Sequence, residues 1–171
     1  MGSSKSYIIK LQLATALAAG GEGKLSQEIA EEVAKSRPED TTVQAIGLPL
    51  IRAEVAVNSG NARKAVEVLS SATPYDKANT GILYARGMAY LKSGQASEAS
   101  REFQKVLSLH AFAPTDLLVP MSQLGLGRAY ALQGDTTKAR TANQDFFALW
   151  KDADPDIPIL KEAKAEYAKL Q

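Results

Sequence analysis

Three places in this 171-residue sequence carry residue types that can do chemistry. The first is Gly20-Gly21-Glu22-Gly23-Lys24, a glycine-rich stretch ending in lysine. A phosphate-binding loop cradles its ligand with backbone N–H groups between a strand and a helix, and it places a hydroxyl residue after the lysine. Here Ala18 stands where the first glycine belongs, Leu25 follows the lysine, and the preceding residues have a helical pattern. The stretch reads as a turn between two helices. The second place is His110, the single histidine. One imidazole excludes a histidine pair for zinc, and near a helix C-terminus it suits the helix dipole. The third is Asp152, Asp154 and Asp156. A calcium loop of the EF-hand kind needs its central glycine and a closing glutamate, whereas Pro155 and Pro158 interrupt this run. It reads as a solvated linker that caps a helix over 156–169.

With no cysteine there is no disulfide, thiolate metal site or cysteine nucleophile. The glycine-rich loop, strand lysine, catalytic aspartate and metal ligands of a kinase are also missing from the chain. No catalytic, cofactor or metal site is expected. The 20 Lys and Arg balance 19 Asp and Glu, with both signs in both halves. No basic face marks a nucleic-acid binder. No run approaches the roughly 18–20 apolar residues of a membrane span. Met1-Gly2-Ser3-Ser4 reads as an expression leader and is set aside, which would leave the natural chain longer. Compartment and oligomeric state stay open.

Chemistry being absent, the elements themselves must carry the function. Glycine or proline punctuates the chain at 20–23, 38, 60, 74, 94, 114, 134 and 155. Between these points apolar residues recur at three- and four-residue steps, the period of amphipathic helices. The pattern predicts an all-α chain of about nine helices: 5–19, 25–36, 41–58, 61–72, 78–93, 96–109, 117–133, 136–151 and 156–169. Thr41 and Gln44 have the spacing of a capping box. Asn61 and Asp135 suit N-caps, and Pro158 suits a first turn. Pro49 should kink or split helix 41–58 near Gly47-Leu48.

The segments repeat. Val57-Asn58-Ser59-Gly60-Asn61-Ala62-Arg63-Lys64-Ala65 aligns with Leu91-Lys92-Ser93-Gly94-Gln95-Ala96-Ser97-Glu98-Ala99, and both align with Leu132-Gln133-Gly134-Asp135-Thr136-Thr137-Lys138-Ala139. Gly60 to Gly94 is 34 residues, and Gly94 to Gly134 is 40. A two-helix unit with the shorter step has the tetratricopeptide period. Gly87 and Gly127 should lie at helix crossings, with Tyr90 or Phe103 filling the space beside the contact. The six-residue excess falls on His110–Asp116 and predicts an ordered bulge or a lengthened helix.

Residues 80–113 carry Leu83, Gly87, Tyr90, Gly94, Ala99 and Phe103; residues 120–153 carry Leu126, Gly127, Tyr130, Gly134 and Ala139. On these positions the chain resembles the tetratricopeptide repeat family. The resemblance departs at Asn143, where the family has an aromatic, and Phe146, Phe147 and Trp150 are candidates to compensate. It implies a right-handed α-solenoid of stacked antiparallel helix pairs. The expected division is a divergent hairpin over 5–40, repeats over 41–79, 80–119 and 120–154, and a capping helix over 155–171. A narrower resemblance rests on Gly127–Thr136 and Asp145–Pro158. These runs are similar to the C-terminal repeats of bacterial, acidobacterial-type, eukaryotic-like serine/threonine kinases. That likeness implies a sensor or docking segment of a larger signalling protein, or the regulatory region of a kinase whose catalytic domain lies outside this chain.

In such arrays the first helix of each unit lines a concave face. By the family's geometry the groove-facing set is Glu54, Tyr84, Met88, Leu91, Lys92, Met121, Leu124 and Arg128. The lysine–asparagine clamp by which some members hold a peptide carboxylate is missing, since Leu50, Glu54, Tyr84 and Met88 occupy its candidate positions. An apolar groove edged by charge suits a protein or peptide ligand. Tyr84, Met88 and Leu124 at helical spacing fit a packed core equally well. A structural or oligomerising scaffold is the other open reading.

Overall fold

The computed structural model describes residues 3–77, 79–109 and 117–170. Among them are nine α-helices and no strand: α1 (Ser3–Ala19), α2 (Gly23–Ser36), α3 (Leu48–Asn58), α4 (Ala62–Ser70), α5 (Thr80–Lys92), α6 (Ala96–Ser108), α7 (Leu118–Leu132), α8 (Thr136–Leu149) and α9 (Pro158–Ala168). Consecutive helices pair as hairpins, α1 with α2 through α7 with α8. The first helices of the hairpins, α1, α3, α5 and α7, also lie side by side and form an inner layer. The second helices form the outer layer. None of the described helices is long and apolar enough to cross a membrane.

Each hairpin closes with the same local geometry. Gly21, Gly60, Gly94 and Gly134 take φ of 86, 80, 78 and 76°, a left-handed conformation open to glycine at little cost. The residue after each one donates its N–H back over the turn: Glu22 to Leu17, Asn61 to Ala56, Gln95 to Tyr90 and Asp135 to Tyr130. The glycine-rich run at 20–24 is therefore a helix–helix turn, and the divergent N-terminal hairpin shares the closure of the others.

Local sequence sets the helix ends. The Asn61 side chain accepts from the Lys64 N–H at 3.2 Å, and Asp135 accepts from the Lys138 N–H at 3.0 Å. Pro158 opens α9. Pro49 sits in the first turn of α3, directly after a π-helical turn over Thr42–Gly47. The break thus falls at Gly47-Leu48, where the missing proline N–H is tolerated.

Two expected caps are corrected. Thr41 makes no side-chain cap; Asp40 takes that role, accepting from the Val43 N–H at 3.2 Å. Gln44 turns the other way and donates to the carbonyls of Ala34 and Arg37, which tie α2 to the following turn. The acidic linker does not cap α9 either: Asp154 accepts from the Asp156 N–H, Asp156 pairs with Lys161, and Ile157 holds the N-cap position. His110 and the excess at His110–Asp116 lie outside the described residues.

The core forms patches along the array. Ala53, Ala56, Ala65, Leu69 and Ala89 join the second hairpin to the third. Ala99, Phe103, Leu126, Ala129 and Ala142 join the third to the fourth. Small residues dominate because they let helix axes approach. A Cβ on Gly87 would lie 2.7 Å from the Phe103 ring, and one on Gly127 would lie 2.5 Å from the Asn143 amide. Both glycines sit at crossings with no room for a side chain.

Candidate peptide-binding groove

The inner layer brings together side chains distant in sequence. Glu54 of α3, Tyr84 of α5 and Arg128 of α7 are close enough to act on one another. Burial raises the Tyr84 phenol above its ordinary pKa, Arg128 draws it down, and Glu54 pushes it up. The Tyr84 ring rests on Phe103, with centroids 6.0 Å apart.

Farther along, a cleft of about 460 Å³ opens between α5, α7 and α9. Met88, Leu91 and Lys92 form one wall, Arg128 and Ala131 another, and Gly127 and Asn143 lie between them. Glu162 and Glu166 of α9 close the third side. Of the eight groove residues expected from sequence, Met88, Leu91, Lys92 and Arg128 line this cleft. Glu54 and Tyr84 lie on the same inner layer but outside it. Leu124 and Met121 correct the expectation. Leu124 is 2% exposed and packs with Phe146, Leu160 and Ala163, and Met121 flanks that cluster. The reason is α9, which lies over this stretch of α7 where a further repeat would stack.

Arg128 is held by α9. Its Nε donates to Glu166 at 2.8 Å, its Nη2 donates to the other Glu166 oxygen at 2.9 Å, and Glu162 lies 3.3 Å away. Burial pulls the guanidinium down, but the hydrogen bonds and charge of Glu166 and Glu162 more than offset it, so its pKa rises above the ordinary value. The forked geometry is that of carboxylate recognition.

Asn143 shapes the cleft floor. In the preceding hairpin the matching residue is Phe103, whose ring is gripped between Gly87 of α5 and Gly125 of α7; a Cβ on Gly125 would lie 2.5 Å from it. Asn143 is shorter and stands beneath Gly127. It is 3% exposed, donates to the Ala139 carbonyl at 2.8 Å, and its Oδ1 accepts no hydrogen bond. The aromatic bulk of this hairpin sits one turn later: Phe146 contacts Phe147 and Trp150, with centroids 5.5 and 5.1 Å away, and seats α9. With the aromatic placed farther along α8 the joint with α9 is filled, and the shorter Asn143 fills the crossing at Gly127, whose inner side borders the cleft.

Residues 120–142 match a family model of the tetratricopeptide repeat. A crystal structure of nearly identical TPR-like repeats from a Podosopora anserina putative kinesin light chain is 18% identical, with a TM-score of 0.68 over 99% of this chain and 87% of that one. A substituted form of the same repeats gives 0.69 over the same shares. A thermophilic TPR protein of Thermus thermophilus is also 18% identical, at TM-score 0.55 over 96% of this chain and 98% of that one. The fold is that of a tetratricopeptide-repeat array. No curated protein matches the sequence. In the terms of that fold, α1, α3, α5 and α7 are the first helices of four units, and α9 occupies the place of a fifth.

One feature of the array left no trace in the repeat pattern. Arg86 of α5 is 5% exposed and donates to both Asp76 oxygens at 2.8 and 3.0 Å, to Glu102 at 3.0 Å, and to the Leu69 carbonyl at 3.2 Å. It ties the end of α4, the turn at Thr73–Tyr75, α5 and α6 into one joint. Burial lowers its pKa, but the partners Asp76 and Glu102 outweigh burial and raise it overall. The corresponding residue is Leu126 one unit later and Arg52 one unit earlier, where the arginine is exposed and lies 3.6 Å from Glu31, so the buried joint belongs to the second and third units.

Proposed function

We propose that this chain is a non-catalytic module that binds a protein or peptide on the inner face of its tetratricopeptide-repeat array. The observation that carries the reading is the cleft of about 460 Å³ bounded by α5, α7 and α9, apolar at Met88 and Leu91 and charged at Lys92 and Arg128. A concave, mostly apolar site with a few placed polar groups is the form such recognition takes. Selection of a displayed random-peptide library against the purified chain tests it. A shared consensus should emerge, and Leu91→Asp should weaken the selected peptides by roughly tenfold or more, the loss of one apolar anchor, with an unchanged helical spectrum. Peptides indifferent to Leu91 and Met88, or no enrichment at all, would remove the groove from consideration.

The narrower likeness of residues 127–136 and 145–158 to the C-terminal repeats of bacterial serine/threonine kinases supports a finer reading, in which the module docks partners for a larger signalling protein. A kinase domain encoded upstream in the same gene would support it. An unrelated upstream sequence would leave the binding module without that context.

A further inference from the structure

We propose that α9 stands in for the partner, and that the groove accepts an amphipathic helix bearing an acid pair. Such a helix would offer two carboxylates four residues apart to Arg128 and a bulky apolar side chain to the cleft beside Gly127. The proposal rests on the peptide-binding reading above and names its ligand class.

Three observations converge. The fork from Arg128 to Glu166, with Glu162 one turn earlier, already displays an i, i+4 acid pair of a helix docked on the inner face. α9 is also the most sparsely packed of the nine described helices. Leu160 and Ala163 seat its first half on Leu124 and Phe146. Its second half is held by Arg128 and by Tyr167, which meets Phe147 edge-on at 5.6 Å and accepts a hydrogen bond from Gln144 at 2.9 Å. Finally, α9 satisfies Arg128 without filling the space beside it. The cleft stays open between Met88, Leu91, Gly127 and α9. A helix arriving from another molecule with the same acid pair and a larger apolar residue keeps the ion pair and adds buried area. Binding therefore displaces the second half of α9.

The probe is a fluorescein-labelled synthetic peptide with the sequence of residues 156–170, together with a version carrying Lys169→Phe. Anisotropy is measured with three full-length proteins: the natural chain, Glu162→Gln/Glu166→Gln, and that pair combined with Arg128→Gln. The double variant, whose own α9 has lost its hold, should bind the probe roughly tenfold more tightly than the natural chain, the worth of one charge-assisted pair. Adding Arg128→Gln should abolish the gain, and the Lys169→Phe peptide should bind the double variant more tightly than the parent peptide. In the natural chain, saturating peptide should speed amide exchange at 164–169. If the double variant does not fold, Glu162→Gln alone carries the comparison, with an expected gain of about threefold from the longer contact. Equal affinity for natural and variant chains, or binding that survives Arg128→Gln, overturns the proposal. Library peptides that still depend on Leu91 would then show that the groove binds ligands while α9 is only a cap. If those fail as well, the groove reading falls with it.

Discussion

The third and fourth hairpins have the same plan and fill their crossings with different side chains. In the third, Phe103 is wholly buried between glycines of two successive inner helices, and the crossing is sealed. In the fourth, Asn143 fills the matching place against Gly127 with a shorter polar side chain, Phe146 carries the bulk one turn later, and a cleft lies beside the crossing. The difference shows how a repeat can trade packing for a site. The backbone frame is retained, the aromatic bulk moves by one turn, and a short amide in its place leaves the cleft beside the crossing.

The sharpest way to break the comparison is Phe103→Ala. Its ring joins three helices, so the substitution should cost about 3–5 kcal/mol, read as a lowered denaturation midpoint. A cost below about 1 kcal/mol, the scale of an ordinary surface change, would mean that the crossing is not sealed by that ring. Next come the glycines. Gly125→Ala places a methyl against a ring that has a second glycine behind it, and should cost about 1–3 kcal/mol. Gly127→Ala meets the end of the Asn143 side chain, which has the cleft beside it, and should cost less. Equal penalties would erase the distinction between a crossing filled by a ring and one filled by an amide beside the cleft. Asn143→Leu keeps the approximate shape and removes the unpartnered buried oxygen. It should raise stability by about 1 kcal/mol while reducing peptide binding. The smallest effect concerns the fourth hairpin's entry. Asp135 is held below the usual carboxylate range by hydrogen bonds with Lys138. Its contribution to α8 is therefore complete above the unfolded carboxylate pKa and is lost as pH falls through the lower folded value. Asp135→Ala should lower the melting temperature slightly at pH 7, and the gap from the natural chain should shrink under acid conditions.

Much of the fold was legible because it is written locally. Turn glycines, Asn61, Asp135, Pro49 and Pro158 act on their own neighbours, and the helices ended within a few residues of where those signals placed them. Gly87 and Gly127 were legible because the repeat marks both. Gly125 was not: its requirement comes from a ring 22 residues earlier on another helix, and no period announces it. Arg86 was missed for a related reason. Its partners lie 10 and 16 residues away, and only the stacking of hairpins buries them together. The groove was legible in outline, as a layer of first helices. Sequence spacing could not show that α9 covers Leu124, nor that it brings Glu162 and Glu166 to Arg128, 34 and 38 residues away.

The four identical turn closures bear on the order in which the molecule takes shape. Each turn is locked by bonds spanning only a few residues, so the hairpins can take shape in chain order, each gaining stability as its neighbour stacks on it. Growth then resembles laying courses of brick, each on the one already set. α9 follows the other eight described helices along the chain, so the inner face is assembled and uncovered before its own cover has been made.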